Sequence, residues 1–361
     1  MKKATNAALM RQKNEKMLLA LINEAPISRV ELARKTGLTK AAVSIITDDL
    51  KSRGIVSERE GKSGSAGRKP IMLYLNGDAF FVIGINITRR DITVGITNLC
   101  GDILSEESFP VCPPGQAFEK IKDCVNKQIL ISGVDGTKIY KAAVVTPGPV
   151  DTSAGVMLNP PNFEEWKNVS VVEEISRFLE CDILFENVSS AVAMAEKYFG
   201  AARGVSDFMA LQVDEGIGSA VVTGGRLFDG PCEFGHISIK YDGELWSCGN
   251  RGCLEKYASV PNLLKNTMYK TWKEAADSGE GAIFEREAEL LSAAITAANN
   301  IFSLERVVLC GEVAYKPDRL IEYISSNLNM LVEKDFTVCP GKINSKTVTA
   351  CAVAINDFFV I

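Results

Sequence analysis

Histidine is almost missing from this chain: of 361 residues, only His236 carries an imidazole. Imidazole chemistry, whether proton transfer or metal ligation, is therefore confined to one place. Long apolar runs are missing too. None approaches the roughly 20 residues that a helical membrane span requires. The start, MKKATNAALMRQKNEKMLLAL, interrupts its apolar part with Arg11, Lys13, Glu15 and Lys16, so it does not read as a signal peptide. A cytoplasmic protein is expected. Cysteine is not scarce, but the ten thiols are mostly scattered through apolar contexts such as Cys100, Cys124 and Cys181. Without a secretion signal they are expected to be reduced, and most of them to be small core residues.

Positive charge is scarce in the body and abundant in the head. Residues 1–70 hold 15 Lys and Arg against 7 Asp and Glu, a net of +8, whereas the whole chain carries −5. A basic head on an acidic body points to a polyanionic partner for the head alone.

The head has the pattern such a partner requires. A helical periodicity ends at Pro26, and Ser28 with Glu31 forms a capping-box pattern opening a short helix through Lys35. Gly37 supplies a turn, and Thr39 is placed to cap a second helix, Lys40 to Arg53, ended by Gly54. Val30, Leu32, Ala33, Leu38, Val43, Ile46 and Leu50 are expected to form its small core. Two short helices joined in this way form a helix-turn-helix, whose second helix enters the major groove of DNA N-terminus first. Thr39, Lys40, Ala41 and Ser44 are the groove-facing candidates, with Thr39 alternatively serving only as a cap. Strand patterns at 55–59 and 71–75 flank a basic, Gly- and Ser-rich loop, as in a winged helix-turn-helix. Arg68 and Lys69 in that loop are expected to reach phosphates or the minor groove of double-stranded DNA. The DNA-binding domain is read as residues 1–76.

Residues 77–361 read as mixed α/β, with apolar strands in groups followed by strand–helix units. The stretch 231–259, PCEFGHISIKYDGELWSCGNRGCLEKYAS, gathers His236, Cys248 and Cys253 between Glu233 and Glu255. Neutral imidazole and thiolate are good zinc ligands, while carboxylates hold the hydroxyls of a polar ligand.

Asn162 within PPNFEEW, Glu186-Asn187, GIG at 216–218, CEFGH at 232–236 and CGNRGCLE at 248–255 together resemble the ROK family (repressors, open reading frames and kinases). The resemblance implies a two-lobed, actin-like (ribonuclease-H-like) ATPase fold with a sugar cleft between the lobes. Lobe 1 would span 77–185, joined by a last helix near 347–359, and lobe 2 would span 186–346. It also implies a homodimer or homotetramer. Sugar contacts would fall on Asn162, Asn187, Glu233, His236 and Glu255.

The kinase parts of that pattern are altered. Family kinases carry a Glu-Asn-Asp motif whose Asp is the general base, and here the third residue is Val188. Losing such a base lowers rate by about 10²–10⁴. The phosphate turn after the first strand carries Asn86, Thr88, Arg89 and Arg90 where the family has an acid and a glycine. Asp214 and Glu215 bring like charge to the second phosphate loop, and Cys310-Gly311 stands at a late Gly-Gly. Kinase activity and ATP binding are not expected. In the zinc motif, Trp246 replaces one cysteine. His236, Cys248 and Cys253 are left as three ligands where structural sites have four. Cys232 is a candidate fourth; otherwise the indole fills the space and the metal is gone.

These features describe a sugar-responsive transcriptional regulator of carbohydrate genes, read as a repressor, whose body senses a sugar or sugar phosphate without turning it over. The competing readings are a sugar kinase with an accessory DNA-binding head, and a DNA-binding protein whose body is an interaction scaffold.

Overall fold

The fold is taken from a computed structural model, in which residues 7–61, 69–230, 232–328 and 336–360 are described. The chain forms two compact units, residues 1–187 with 345–361, and residues 188–344.

The first unit begins with the head: α1 (Ala7–Glu24), β1 (Ile27–Ser28), α2 (Arg29–Thr36), α3 (Lys40–Ser52), β2 (Val56–Glu60) and β3 (Ile71–Leu75). Strands β2 and β3 pair antiparallel as the wing, and β1 joins the other edge of β3. Two residues long, β1 carries no period that a sequence reading could detect. Leu18, Leu19, Ile22, Leu32, Val43, Ile46, Leu50 and Leu73 are buried. Val30 was expected among them but is 63% exposed. It is the second residue of α2, and the core face of that helix falls on Leu32.

The body of this unit continues with β4 (Phe81–Ile87), β5 (Asp91–Asn98), β6 (Ile103–Pro110), α4 (Pro114–Ser132), β7 (Ile139–Thr146), β8 (Val150–Asp151), β9 (Val156–Met157), β10 (Val169–Ser170), α5 (Val171–Ser176) and β11 (Ile183–Asn187). Its sheet has the order β11-β7-β4-β5-β6, an antiparallel meander extended by two parallel strands.

The second unit contains α6 (Val188–Phe199), β12 (Phe208–Val213), β13 (Ile217–Thr223), β14 (Arg226–Leu227), α7 (Leu254–Ala258), α8 (Val260–Leu264), α9 (Trp272–Ser278), α10 (Gly281–Phe302), β15 (Arg306–Gly311), α11 (Asp318–Leu328) and β16 (Thr337–Pro340). Its sheet order, β14-β13-β12-β15-β16, has the same pattern: an antiparallel meander, then two parallel strands beside its first member. The two units therefore share one α/β plan.

The last helix, α12 (Lys346–Phe359), belongs to the first unit and lies on its sheet. Gly84 and Gly95 make that approach possible. A Cβ on Gly84 would lie 2.7 Å from the Cys351 sulfur, and one on Gly95 would lie 2.5 Å from the Thr347 methyl. The ten cysteines are all free, but they are not uniformly core residues: Cys100 and Cys248 are exposed, and Cys181 is half-buried.

Candidate functional site

In the head, the local signals act as their residue types require. The Ser28 hydroxyl accepts from the Glu31 amide at 3.2 Å while Glu31 accepts from the Ser28 amide, completing the capping box. Gly37 takes φ +72°, which ends α2 and aims α3. Thr39 accepts from the Ala42 amide at 3.2 Å, so its oxygen is engaged as a cap. Lys40 and Ala41 are exposed and Ser44 is half-buried. Lys69 is exposed, 3.5 Å from Glu60, while Arg68 lies outside the described residues. One residue on this face was missed from sequence: Ile45, 65% exposed, one helical turn beyond Ala41. Asp48 follows on the same face, but its carboxylate is tied by Arg29 at 2.6 Å, and Arg29 also binds Glu58 at 2.7 Å.

In the first unit's body, Asn162 is exposed and takes the left-handed conformation, φ +56°. The residue after it is buried: Phe163 stacks on Trp166 with ring centroids 5.4 Å apart, which anchors the PPNFEEW loop. Asn187 ends β11 opposite Thr146, and its side-chain amide packs where any Cβ on Gly148 would collide.

In the second unit, Glu233 and His236 bound a single turn of 3₁₀ helix, with Glu233 exposed and Phe234 buried. The chain then doubles back. Bridges pair Ser238 with Cys253 and Leu245 with Arg251, and Gly249 (φ +89°) and Gly252 (φ +69°) allow the reversal. The doubling brings the His236 ring and the Cys248 and Cys253 sulfurs within 4.8 Å of one another, with the two sulfurs 3.4 Å apart. The His236 Nδ1 is buried and has no hydrogen-bond partner among the described residues. Burial, and then the adjacent Cys248 sulfur, push the Cys253 thiol up to about 11. Three converging N and S donors, one with an orphaned lone pair, suit a zinc ion. Cys232 does not converge with them: it packs against the unit's core, and its carbonyl accepts from the Ser219 hydroxyl.

Trp246 neither ligates nor merely fills space. Its indole N–H donates to Glu255 Oε1 at 3.0 Å, and Glu255 Oε2 accepts from the Ile217 amide at 2.7 Å. The Lys256 ammonium lies 5.2 Å from the Trp246 ring centroid. The tryptophan at the lost cysteine position thus pins the carboxylate that the family pattern assigns to sugar. Nothing in the sequence pairs residues 246 and 255 before the loop is seen to double back.

The two loops that would cradle phosphate hold protein side chains instead. In the first unit, Asn86, next to last in β4, directs its amide toward the Lys346 carbonyl at 3.4 Å. The Lys346 ammonium takes both oxygens of Asp91, at 2.5 and 2.6 Å, and the Thr88 hydroxyl donates to Asp91 as well, at 2.8 Å. Burial opposes the Asp91 charge, but these bonds outweigh it and hold the carboxyl below its ordinary range. In the second unit, Asp214 accepts from the Gln212 side chain and from the Glu312 amide, both at 2.6 Å. Lys346 was not anticipated, since it stands 255 residues from its partner.

Comparison with known proteins gives the same division. The ROK family model matches residues 82–351, and a winged helix-turn-helix DNA-binding model matches residues 10–57. The chain is 29% identical to the N-acetylglucosamine repressor of Escherichia coli O6:H1, over 92% of this chain and 88% of that protein. A crystal structure described as a ROK family transcriptional regulator, homolog of the E. coli MLC protein, superposes with TM-score 0.80 at 22% identity, covering 97% of both chains. A ROK hexokinase from Thermus thermophilus superposes with TM-score 0.65 at 22% identity, covering 77% of this chain and all of that one.

Proposed function

The chain belongs to the ROK family, and from that premise we propose that it is a sugar-responsive DNA-binding repressor whose body binds a sugar or sugar phosphate without phosphorylating it. The observation that carries the reading is the filled phosphate turn: Lys346, Asp91 and Thr88 bond one another where a kinase keeps backbone and an acid free for phosphate and magnesium. Val188, at the start of α6, cannot accept a proton from a sugar hydroxyl. The helix-turn-helix and the likeness to a named repressor supply the DNA-binding half.

On this reading, Glu233, His236 and Glu255 take sugar hydroxyls, and His236, Cys248 and Cys253 would hold a zinc ion. When bound, the metal supplies charge and rigidity to the doubled-back loop. Trp246, rather than a fourth protein ligand, fixes Glu255. A sugar acts on DNA binding only through unequal affinity for the DNA-competent and DNA-incompetent states.

The test measures binding of the full-length protein to a duplex selected from a random library. A panel of sugars and sugar phosphates, N-acetylglucosamine among them, is added, and ADP release is followed in parallel with ATP. A sugar-dependent change in DNA affinity without turnover is expected; clear turnover would sink the reading. Metal analysis should find about one zinc per chain in the wild type, in keeping with a single donor cluster, and little in Cys248→Ser.

A further inference from the structure

The recognition helix carries an apolar residue that its fold does not use. The buried face of α3 is complete with Val43, Ile46, Thr47 and Leu50. Ile45 points away from that face, 65% exposed, on a β-branched side chain that gains nothing for a helix by propensity. Single exposed apolar residues are ordinary on protein surfaces, so exposure alone carries nothing. Position carries the argument. Ile45 lies four residues, about one helical turn, after exposed Ala41, on the side of the helix that a helix-turn-helix offers to the major groove. Thr39 is engaged as the cap and Asp48 is held by Arg29, so the polar groups at both ends of this strip are already partnered. The centre of the strip is therefore Ala41 and Ile45, with Ser44 half-buried beside them.

Only one base presents an apolar group in the major groove. Thymine carries a C5 methyl there, and apolar side chains read it by contact. We infer that Ile45, with Ala41 one turn before it, reads thymine methyls in each operator half-site, and that Ile45 is a specificity-determining residue of this protein. The inference rests on the DNA-binding reading and deepens it by naming the base class.

Replacing thymine with deoxyuridine removes the methyl and leaves every hydrogen-bonding group in place. Full-length protein is used to select sites from a random duplex library. Each thymine of the selected site is then replaced singly by deoxyuridine. Wild-type protein should lose about fourfold in affinity at one or two thymines per half-site, the value of one buried methyl group. In Ile45→Ala that penalty should vanish, while the parent site binds about as weakly as the deoxyuridine site binds wild type. Ile45→Val should fall between. The wild-type series needs no variant to fold, and circular dichroism melting should not separate Ile45→Ala from wild type. If wild type tolerates deoxyuridine at every position, or Ile45→Ala keeps the penalty, the inference is wrong. Failure to enrich any sequence would instead remove the DNA-binding reading, and the inference with it.

Discussion

At the scale of single residues, the candidate sugar site turns on how Glu255 is held. A carboxylate accepting from an indole N–H and a backbone amide is oriented before any ligand arrives. Trp246→Phe keeps the ring beneath Lys256 and removes only the donor. A hydrogen bond to a charged group contributes about 1.5–3 kcal/mol, so calorimetry should show the responsive sugar bound at least tenfold more weakly, with DNA affinity in its absence unchanged. Unaltered sugar affinity would mean that the Ile217 amide alone positions Glu255. Val188→Asp poses the complementary question. Restoring a carboxylate after Glu186-Asn187 restores the base by type but leaves Lys346 on Asp91 in the phosphate turn. No ADP release above background is expected from this variant, and turnover in a coupled assay would show that the lost base alone had silenced the site.

At the scale of elements, much was legible and the omissions have a common cause. Caps and turns speak through neighbouring residues, so Ser28, Gly37 and Thr39 announced α2 and α3 from sequence. Most strands of both sheets showed as apolar runs bounded by turn residues, though β14 and β16 did not, and His236, Cys248 and Cys253 stood out by residue type. What stayed hidden depends on partners distant in sequence or on elements too short to carry a period. Lys346 on Asp91, Trp246 on Glu255 and the two-residue β1 are of this kind. Glu287 is another. It lies on α10 with buried Ile283, Phe284 and Leu291, is itself fully buried, and neither oxygen has a hydrogen-bond partner among the described residues. Burial pushes its carboxyl well above the ordinary value of 4.5, with Arg286 opposing weakly. An acid whose pKa is raised in the folded state leaves stability intact below its unfolded value. It lowers stability progressively as pH rises from there toward the folded pKa. Glu287→Met should therefore melt above wild type even below the ordinary value, by about 1–3 kcal/mol, the penalty of an unsatisfied buried group. The margin should widen as pH rises above the ordinary value toward neutrality. A variant less stable at neutral pH would mean that the acid is paired in solution.

At the scale of the whole molecule, a regulator must connect its DNA-binding head to its body, and one such connection lies within the first compact unit. The Lys16 ammonium of α1 donates to the carbonyls of Asp357 and Val360, both at 2.6 Å, at the end of α12. These are carbonyls that a helix terminus leaves without an intrahelical partner, and a cation there also suits the helix dipole. Burial lowers the Lys16 pKa, opposed by the charge of Asp357, whose carboxylate is held in turn by Lys141 at 2.9 Å and by the Tyr140 hydroxyl at 2.7 Å. The head thus grips a helix that rests on the β4 and β7 strands of the body sheet. Linkage requires that the factor by which sugar weakens DNA binding equal the factor by which DNA weakens sugar binding. Titrating each ligand in the presence and absence of the other should return one number twice. Lys16→Met cuts the grip without touching either binding surface. It should lower that shared factor by about two- to thirtyfold, while sugar affinity without DNA and DNA affinity without sugar stay within a fewfold of wild type. If both affinities and the factor survive the substitution, the signal reaches the head by another route. If the two titrations of wild-type protein disagree, the sugar and the DNA are not acting on one equilibrium at all.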